Sequence, residues 1–436
     1  MPVLTIASTF SRGRCFIAGE DLSPGELVHE ESPLAWYLSH DDPHLDPIEK
    51  SLLSHFPLGV SPLSCILGYR LSLQMSHLKI NSQVMSLCCH QAHMNTKQSE
   101  GIRECAEILH RMNPSVSILH AIEILRRISL NAFMITDTTL QAIGIGLYLR
   151  ASLFNHSCDP NATQSFIFDG NSYRLRVYAN RSIAKGEEIH ISYIDLTYPN
   201  WWRRQQLWRS YGFFCNCSRC GNNCDGVRLR CARNDCKWGL LDTSCETVTL
   251  YRQWLRGQVT PPSIPIDTSQ LPIAFPCAKG ETCNLEFRCL TCRSPSNAKE
   301  MMRLLKQVSK LYFQCQSEEA SLERYSAAVK TLEIALFDDD LALLRLKSDF
   351  VTELILRQRF EQAKIVMESY IPALGLACLP SNQFYYVQLY QLSKLRAYAG
   401  DSQKGLGEIK ETVDRLTKML GSSHPLVQEA VSGNSF

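Results

Sequence analysis

The feature that most constrains this 436-residue chain is a series of three short segments. The first is Asn155-His156-Ser157-Cys158-Asp159-Pro160-Asn161, the second Gly186-Glu187-Glu188-Ile189-His190-Ile191-Ser192-Tyr193, and the third Cys215-Asn216-Cys217-Ser218-Arg219-Cys220. The first gathers short polar side chains at a turn, where Asn, Asp and Ser bond to nearby backbone. The second is a β-type run that ends on a tyrosine. The third is a C-x-C-x-x-C knuckle, a spacing that suits a metal ion.

Cysteine usage points the same way. Eleven of the nineteen cysteines fall between Cys215 and Cys292. Secreted disulfide scaffolds are short and evenly stapled, whereas this chain is long and its thiols are clustered, which favours metal over disulfides. Lysine and arginine number 45 against 43 acidic residues, a formal net charge of +2. Phosphate binding needs a concentrated basic face, so no sequence-specific nucleic-acid partner is expected. No run approaches the roughly twenty apolar residues of a membrane span, and Met1 to Phe10 lacks the pattern of a secretory signal. The expectation is a cytoplasmic or nuclear protein, and its length implies two or three lobes rather than one domain.

Along the chain, Val3 to Tyr37 alternates β-type runs with turns at Ser11-Arg12-Gly13-Arg14 and Ser23-Pro24-Gly25-Glu26. Between residues 65 and 130 the apolar spacing predicts helices, with Ile66, Leu67, Leu71 and Met75 on one face and Ile102, Cys105, Ala106, Leu109 and Met112 on another. Short strands follow, Tyr173 to Tyr178 and Ile189 to Tyr193 among them, with Gly170-Asn171 as a hairpin turn and a helix over Trp201 to Trp208. Within 221–296, Cys231-x4-Cys236 and Cys289-x2-Cys292 bracket a cysteine-rich insert as two knuckles, the layout of a zinc ribbon. A second metal is expected there, with the ligand set left open by Cys224, Cys245, Cys277 and Cys283. From Asn297 the periodicity is helical, through Leu304, Val308 and Leu311 and then Leu354, Ala363, Val366, Met367 and Tyr370.

The three motif segments, in this order, resemble the SET-domain lysine methyltransferases, and in particular the SET-and-MYND (SMYD) subfamily. The likeness is strong over residues 129–220 and weaker elsewhere. It implies an α+β fold: a β-rich SET core with inserted helices, a cysteine-rich zinc post-SET region, and an all-α, tetratricopeptide-like C-terminal lobe. The corresponding division is 1–64 for the N-terminal SET part, 65–130 for the helical insert, 131–195 for the SET core, 196–220 for the post-SET segment, 221–296 for the cysteine-rich insert and 297–436 for helical hairpins. Residues 39–64 carry no C-x-x-C pair, so the MYND zinc module of the family is expected to be absent.

The resemblance also implies the site. S-adenosylmethionine would meet Arg12, Gly13, Asn131, Ser152, Asn155, His156 through its backbone, Tyr193 and Phe213. The family has a second glycine where Cys15 stands here. Phe133, Tyr193 and Tyr211 match the channel for the substrate lysine, and an aromatic channel strips water from the amine while attracting its cationic methylated forms. Tyr193 matches the catalytic tyrosine; without its flanking motifs, a tyrosine closing a strand is ordinary core with its hydroxyl satisfied. Cys158, Cys215, Cys217 and Cys220 match a four-thiolate zinc set, closed to water and therefore structural. Leu87-Cys88-Cys89-His90 loosely resembles a family loop beside the adenine, although a packed or surface histidine is the plainer reading. The implied function is transfer of a methyl group from S-adenosylmethionine to a protein lysine by a monomer. The alternative is a SET-fold scaffold acting through its helical C-terminal lobe.

Overall fold

The computed structural model describes residues 2–9, 13–38, 60–75, 77–89, 96–198, 200–221, 230, 236, 241–243, 287–289, 292, 295–296, 321–378, 382–398 and 402–432. Two compact units emerge. One comprises Met1–Ile194, Gln206–Phe213 and Lys410–Ser435; the other comprises Asp195–Gln205 and Phe214–Ile409.

In the first unit, β1 (Leu4–Thr9) and β2 (Gly13–Ala18) form an antiparallel pair, followed by β3 (Leu27–Glu31) and β4 (Ala35–Leu38). The helical insert is α1 (Pro62–Ser72), α2 (Leu78–Met85), α3 (Thr96–Met112) and α4 (Ile118–Asn131). Then come β5 (Ala132–Thr136), β6 (Ala142–Leu147), β7 (Asn155–His156), β8 (Ala162–Phe168), β9 (Tyr173–Ala179) and β10 (His190–Ile191).

The insert is helical for the reason its spacing implies. Ile66, Leu67, Leu71 and Met75 are buried together with Ile102, Cys105, Ala106 and Leu109, in one cluster with Ile124 and Ile128 of α4. Ser117 starts α4 by accepting the His120 backbone N–H at 3.3 Å, which satisfies one of the open donors of the first turn. Arg70 reaches back from α1 to donate to the Trp36 carbonyl at 2.6 Å, which ties the insert to β4.

Three small sheets carry the rest. β6 lies between β4 and β5, and β9 between β3 and β8, all antiparallel, while β7 and β10 run parallel. The period of two in β9 sends Leu175, Val177 and Ala179 into a core shared with Phe16, Phe154 and Ile191. Arg174 and Arg176, on the other face, both meet Glu30 of β3 at 2.5 Å. Gly170, with φ +91°, sits in the β8–β9 turn as the sequence indicates.

The segments 200–211 (α5) and 218–221 (α6) are helical. Strands β11 (Leu241–Thr243), β12 (Phe287–Cys289) and β13 (Pro295–Ser296) make an antiparallel sheet of the second unit. Helices α7 (Leu322–Ala335), α8 (Leu341–Leu356), α9 (Phe360–Ala377) and α10 (Gln383–Tyr398) follow. Ser321 and Asp340 cap α7 and α8. Leu354 of α8 is buried in one cluster with Ala363, Met367 and Tyr370 of α9, with Val366 packed at its edge. Leu304, Val308 and Leu311 lie outside the described residues. No helix among the described residues is long and apolar enough to cross a membrane.

The C-terminal helices α11 (Ser402–Leu420) and α12 (Pro425–Ser432) close the chain. Residues from Lys410 onward group with the SET strands rather than with α7 to α10. The Leu420 carbonyl accepts the Ser165 hydroxyl at 3.5 Å, and Arg176 donates to the Ser423 hydroxyl. Gly421 takes φ +83° and lies so near β9 that a Cβ would overlap the Tyr178 hydroxyl. Gly421→Ala should therefore lower stability by roughly 1–3 kcal/mol through strain at a left-handed position and the displaced tyrosine. Thermal unfolding checks this; an unchanged melting temperature would show that the turn is not held against β9.

Candidate active site

Asn155 and His156 form β7, and they lie beside His190 and Ile191 of β10 in parallel register. The pairing is pinned from the side by Asn161, 1% exposed. Its amide oxygen accepts the His190 N–H at 2.7 Å, while its amide nitrogen donates to the Glu188 carbonyl at 2.9 Å and to Glu187 Oε1 at 3.1 Å. One buried side chain thus satisfies two backbone groups of a segment nearly thirty residues further along the chain. The helical turn Ala151–Leu153 just ahead of β7 is held by Glu31, whose two carboxylate oxygens accept the Arg150 and Ala151 N–H groups at 3.0 and 2.8 Å.

Tyr193 follows β10. Part of its residue surface is accessible, yet its hydroxyl lies deep and donates to the Phe154 carbonyl at 2.6 Å. Burial, and then the neighbouring Tyr211, push its pKa upward, and burial pushes Tyr211 up to about 12. Both phenols are consequently neutral at physiological pH. Tyr211 has its ring centroid 4.9 Å from that of Tyr193, His156 5.4 Å, and Phe213 6.4 Å in an edge-on arrangement. The predicted aromatics Tyr211 and Phe213, together with His156, therefore gather around Tyr193.

The other predicted residues divide. Asn155 donates its amide N–H to Glu188 Oε1 at 2.8 Å, which turns the amide in a fixed direction. Asn131, at the end of α4 and 6% exposed, donates to the carbonyls of Arg127 at 2.8 Å and Cys88 at 2.9 Å. Gly13 opens β2 at φ +73°, with open space where a Cβ would stand. Its neighbour Arg14 donates to the Ser86 carbonyl at 2.6 Å. The loop after α2 thereby joins the Gly13 strand to Asn131. Ser152 instead donates to the Leu149 carbonyl at 2.8 Å within its own turn. Phe133 stands edge-on to Tyr148 at 5.7 Å and packs on the same core as Tyr193. Cys15, where the family has glycine, is wholly buried in β2 opposite Ala7. Arg12 and His90 lie outside the described residues.

The sulfurs of Cys158, Cys215, Cys217 and Cys220 lie within 4.8 Å of one another. A tetrahedral zinc site with bonds of about 2.3 Å has its sulfurs about 3.8 Å apart, so the set fits the metal after contraction of well under an ångström per ligand. All but Cys217 are buried. Of the second expected set, Cys236 is buried, Cys289 falls in β12, Cys292 follows that strand and is half-buried, and Cys231 lies outside the described residues. Among the described residues, no second cluster of metal-ligating groups is assembled.

Sequence reasoning missed Glu31, Asn161 and Glu188, which hold the site without facing it. Asn161 and Glu188 stand in the quoted motifs, but their roles depend on a contact between distant segments.

Comparison with known proteins agrees with this geometry. Residues 13–194 match the SET domain family. The histone-lysine N-methyltransferase ASHR1 of Arabidopsis thaliana is 24% identical over 363 residues, which is 80% of this chain and 67% of that protein. The human histone-lysine N-methyltransferase SMYD3 is 43% identical over 119 residues, 27% of this chain and 26% of that protein. A SET and MYND domain-containing protein of Dictyostelium discoideum is 45% identical over 80 residues, 18% of this chain and 22% of that protein. The match thus spans only about a quarter of the length of the two more identical relatives. Residues 13–194 are thus similar to the SET domain, the domain shared with the histone-lysine N-methyltransferases named above. The chain's similarity to the SET-and-MYND relatives is confined to short segments of those proteins.

Elemental analysis of the reduced protein should find at least one zinc per chain. Cys217→Ser should lower that occupancy, because it removes one of four thiolates; full occupancy in the variant would take Cys217 out of the ligand set.

Proposed function

We propose that this protein transfers a methyl group from S-adenosylmethionine to a lysine side chain of a protein substrate. The observation that carries the reading is the buried Tyr193 hydroxyl, aimed by the Phe154 carbonyl and ringed by Tyr211, Phe213 and His156. When bound, the cofactor supplies a methyl group on a cationic sulfur, open to in-line displacement by an amine.

The donor set suits such a ligand. The Asn155 amide oxygen and the backbone around His156 offer polar groups for an amino-acid end and a purine, Phe213 offers a flat apolar face, and Gly13 leaves space near Asn131 through the Ser86–Cys88 loop. Arg12 belongs to the same proposed set by resemblance. Tyr193, Tyr211 and Phe133 form the proposed lysine channel, where apolar walls exclude water and ring faces favour the cationic stem. Positioning and fixed dipoles supply the rate, since no covalent enzyme intermediate is needed. Tyr193, kept neutral by burial, cannot serve as the base that takes the amine proton; its hydroxyl orients the amine and the methyl group. Zinc on Cys158, Cys215, Cys217 and Cys220 is proposed to be structural, with a second zinc among Cys231, Cys236, Cys289 and Cys292. The substrate is a lysine-bearing segment of a histone or other protein, and the proposed location is cytoplasm or nucleus, with the protein acting as a monomer.

Tyr193→Phe should leave S-adenosylmethionine affinity nearly intact and cut turnover by roughly a hundredfold or more, as for a contact made chiefly in the transition state. Titration calorimetry and labelled-methyl transfer to histones and to a cytosolic lysate measure the two quantities. Equal turnover in variant and wild type would remove Tyr193 from the mechanism, and no transfer by the wild type would leave the scaffold reading.

The pH profile gives a separate test. Because Tyr193 and Tyr211 are both shifted upward, kcat/KM should rise from pH 7 to 9 as the lysine amine loses its proton, with no descending limb from tyrosine near the ordinary value of about 10. A fall in rate near pH 10 that disappears in Tyr193→Phe would contradict the neutral phenol.

A further inference from the structure

The His156 ring makes two hydrogen bonds that its motif does not announce. Nδ1 lies 3.0 Å from the Tyr193 backbone nitrogen, and Nε2 lies 3.3 Å from Cys158 Sγ. A backbone N–H can only donate, so Nδ1 must be the acceptor and carries no proton. In the neutral ring the proton then sits on Nε2, directed at the sulfur of Cys158, one of the four clustered thiols. The ring is buried, 7% exposed, and stacked obliquely 6.0 Å from Phe213, so neither nitrogen can turn to water.

We infer that the His156 side chain is a positioning residue, a strut that couples the Cys158 thiolate of the zinc cluster to the backbone of Tyr193. This rests on the methyltransferase reading above, in which His156 otherwise contributes its backbone. An N–H donated to a metal-bound thiolate offsets part of the sulfur's negative charge and fixes the ligand's direction, as outer-shell partners of metal ligands generally do. At its other end the ring fixes the peptide group that carries Tyr193. A metal held by the four cysteines would have no open position, and through this one imidazole its binding would help set where the phenol stands.

The test uses full-length protein loaded with zinc, and with 113Cd in its place. In protein carrying 15N-labelled histidine, the NMR signals of His156 should place the ring proton on Nε2, and in the 113Cd form that proton should show scalar coupling to the metal across the sulfur. His156→Phe keeps a flat ring but removes both nitrogens. It should weaken metal affinity by roughly 10–100-fold. It should also lower kcat by about tenfold or more while KM for S-adenosylmethionine changes by less than about threefold, the signature of a misplaced transition-state contact. His156→Gln, which can accept at one end and donate at the other, should recover much of both losses. A proton on Nδ1, or a His156→Phe protein with wild-type metal affinity and kcat, would overturn the strut. If His156→Phe does not fold, the position of the proton and its coupling to 113Cd in the wild type decide the matter. Absence of methyl transfer by the wild type would instead defeat the functional reading, since the nitrogen and metal measurements need no reaction.

Discussion

The parallel pairing of Asn155-His156 with His190-Ile191 is the constraint on which the rest of the site depends. Two residues on each side make too short a ladder to hold alone, so the pairing relies on buried side-chain bonds. Asn161 supplies them by satisfying the His190 N–H and the Glu188 carbonyl together, in a position from which water is excluded. Leaving either group unpaired at such depth costs about 1–3 kcal/mol, more than a typical surface contact returns. With the two strands joined, Tyr193 is delivered beside the Phe154 carbonyl, and Asn155 beside Glu188.

Support for this junction comes from both directions along the chain. Upstream, the Glu31 carboxylate caps the turn at Arg150 and Ala151 and also meets His29 at 3.1 Å. Phe16 and Phe154 pack with centroids 4.8 Å apart beneath it. Downstream, the segment 186–189 is laid against β2 through bonds from Gly186 to the Ala18 carbonyl and from Ile189 to the Phe16 carbonyl. The same burial that fixes these groups raises the tyrosine pKa values, so geometry and electrostatics have one cause.

The return of the chain end adds a second long-range dependence. Ser165, Arg176 and Tyr178 lie on β8 and β9, and all three meet the turn that follows α11. Both strands are thereby met by residues more than two hundred positions away. The helical periodicity of α11 runs on through Lys410, and residues from there onward group by their contacts with the strands of the first unit.

The amino-acid sequence by itself determined the elements that have a local signature. Apolar residues at helical spacing marked α1, α3 and α9, glycine marked the β8–β9 turn, and the three motif segments carried Asn155, His156, Tyr193 and the knuckle cysteines. It also carried the likeness to the SET domain, because those segments occur in that order. Only the tertiary structure decided which groups those residues would meet: that Asn155 would turn to Glu188, that Ser152 would bond within its own turn, that Gly421 would face Tyr178, and which nitrogen of His156 would hold the proton. Local propensity arises from neighbours a few residues apart, whereas each of these outcomes requires loops to close and distant groups to lose water together, and so leaves no periodic trace in the chain.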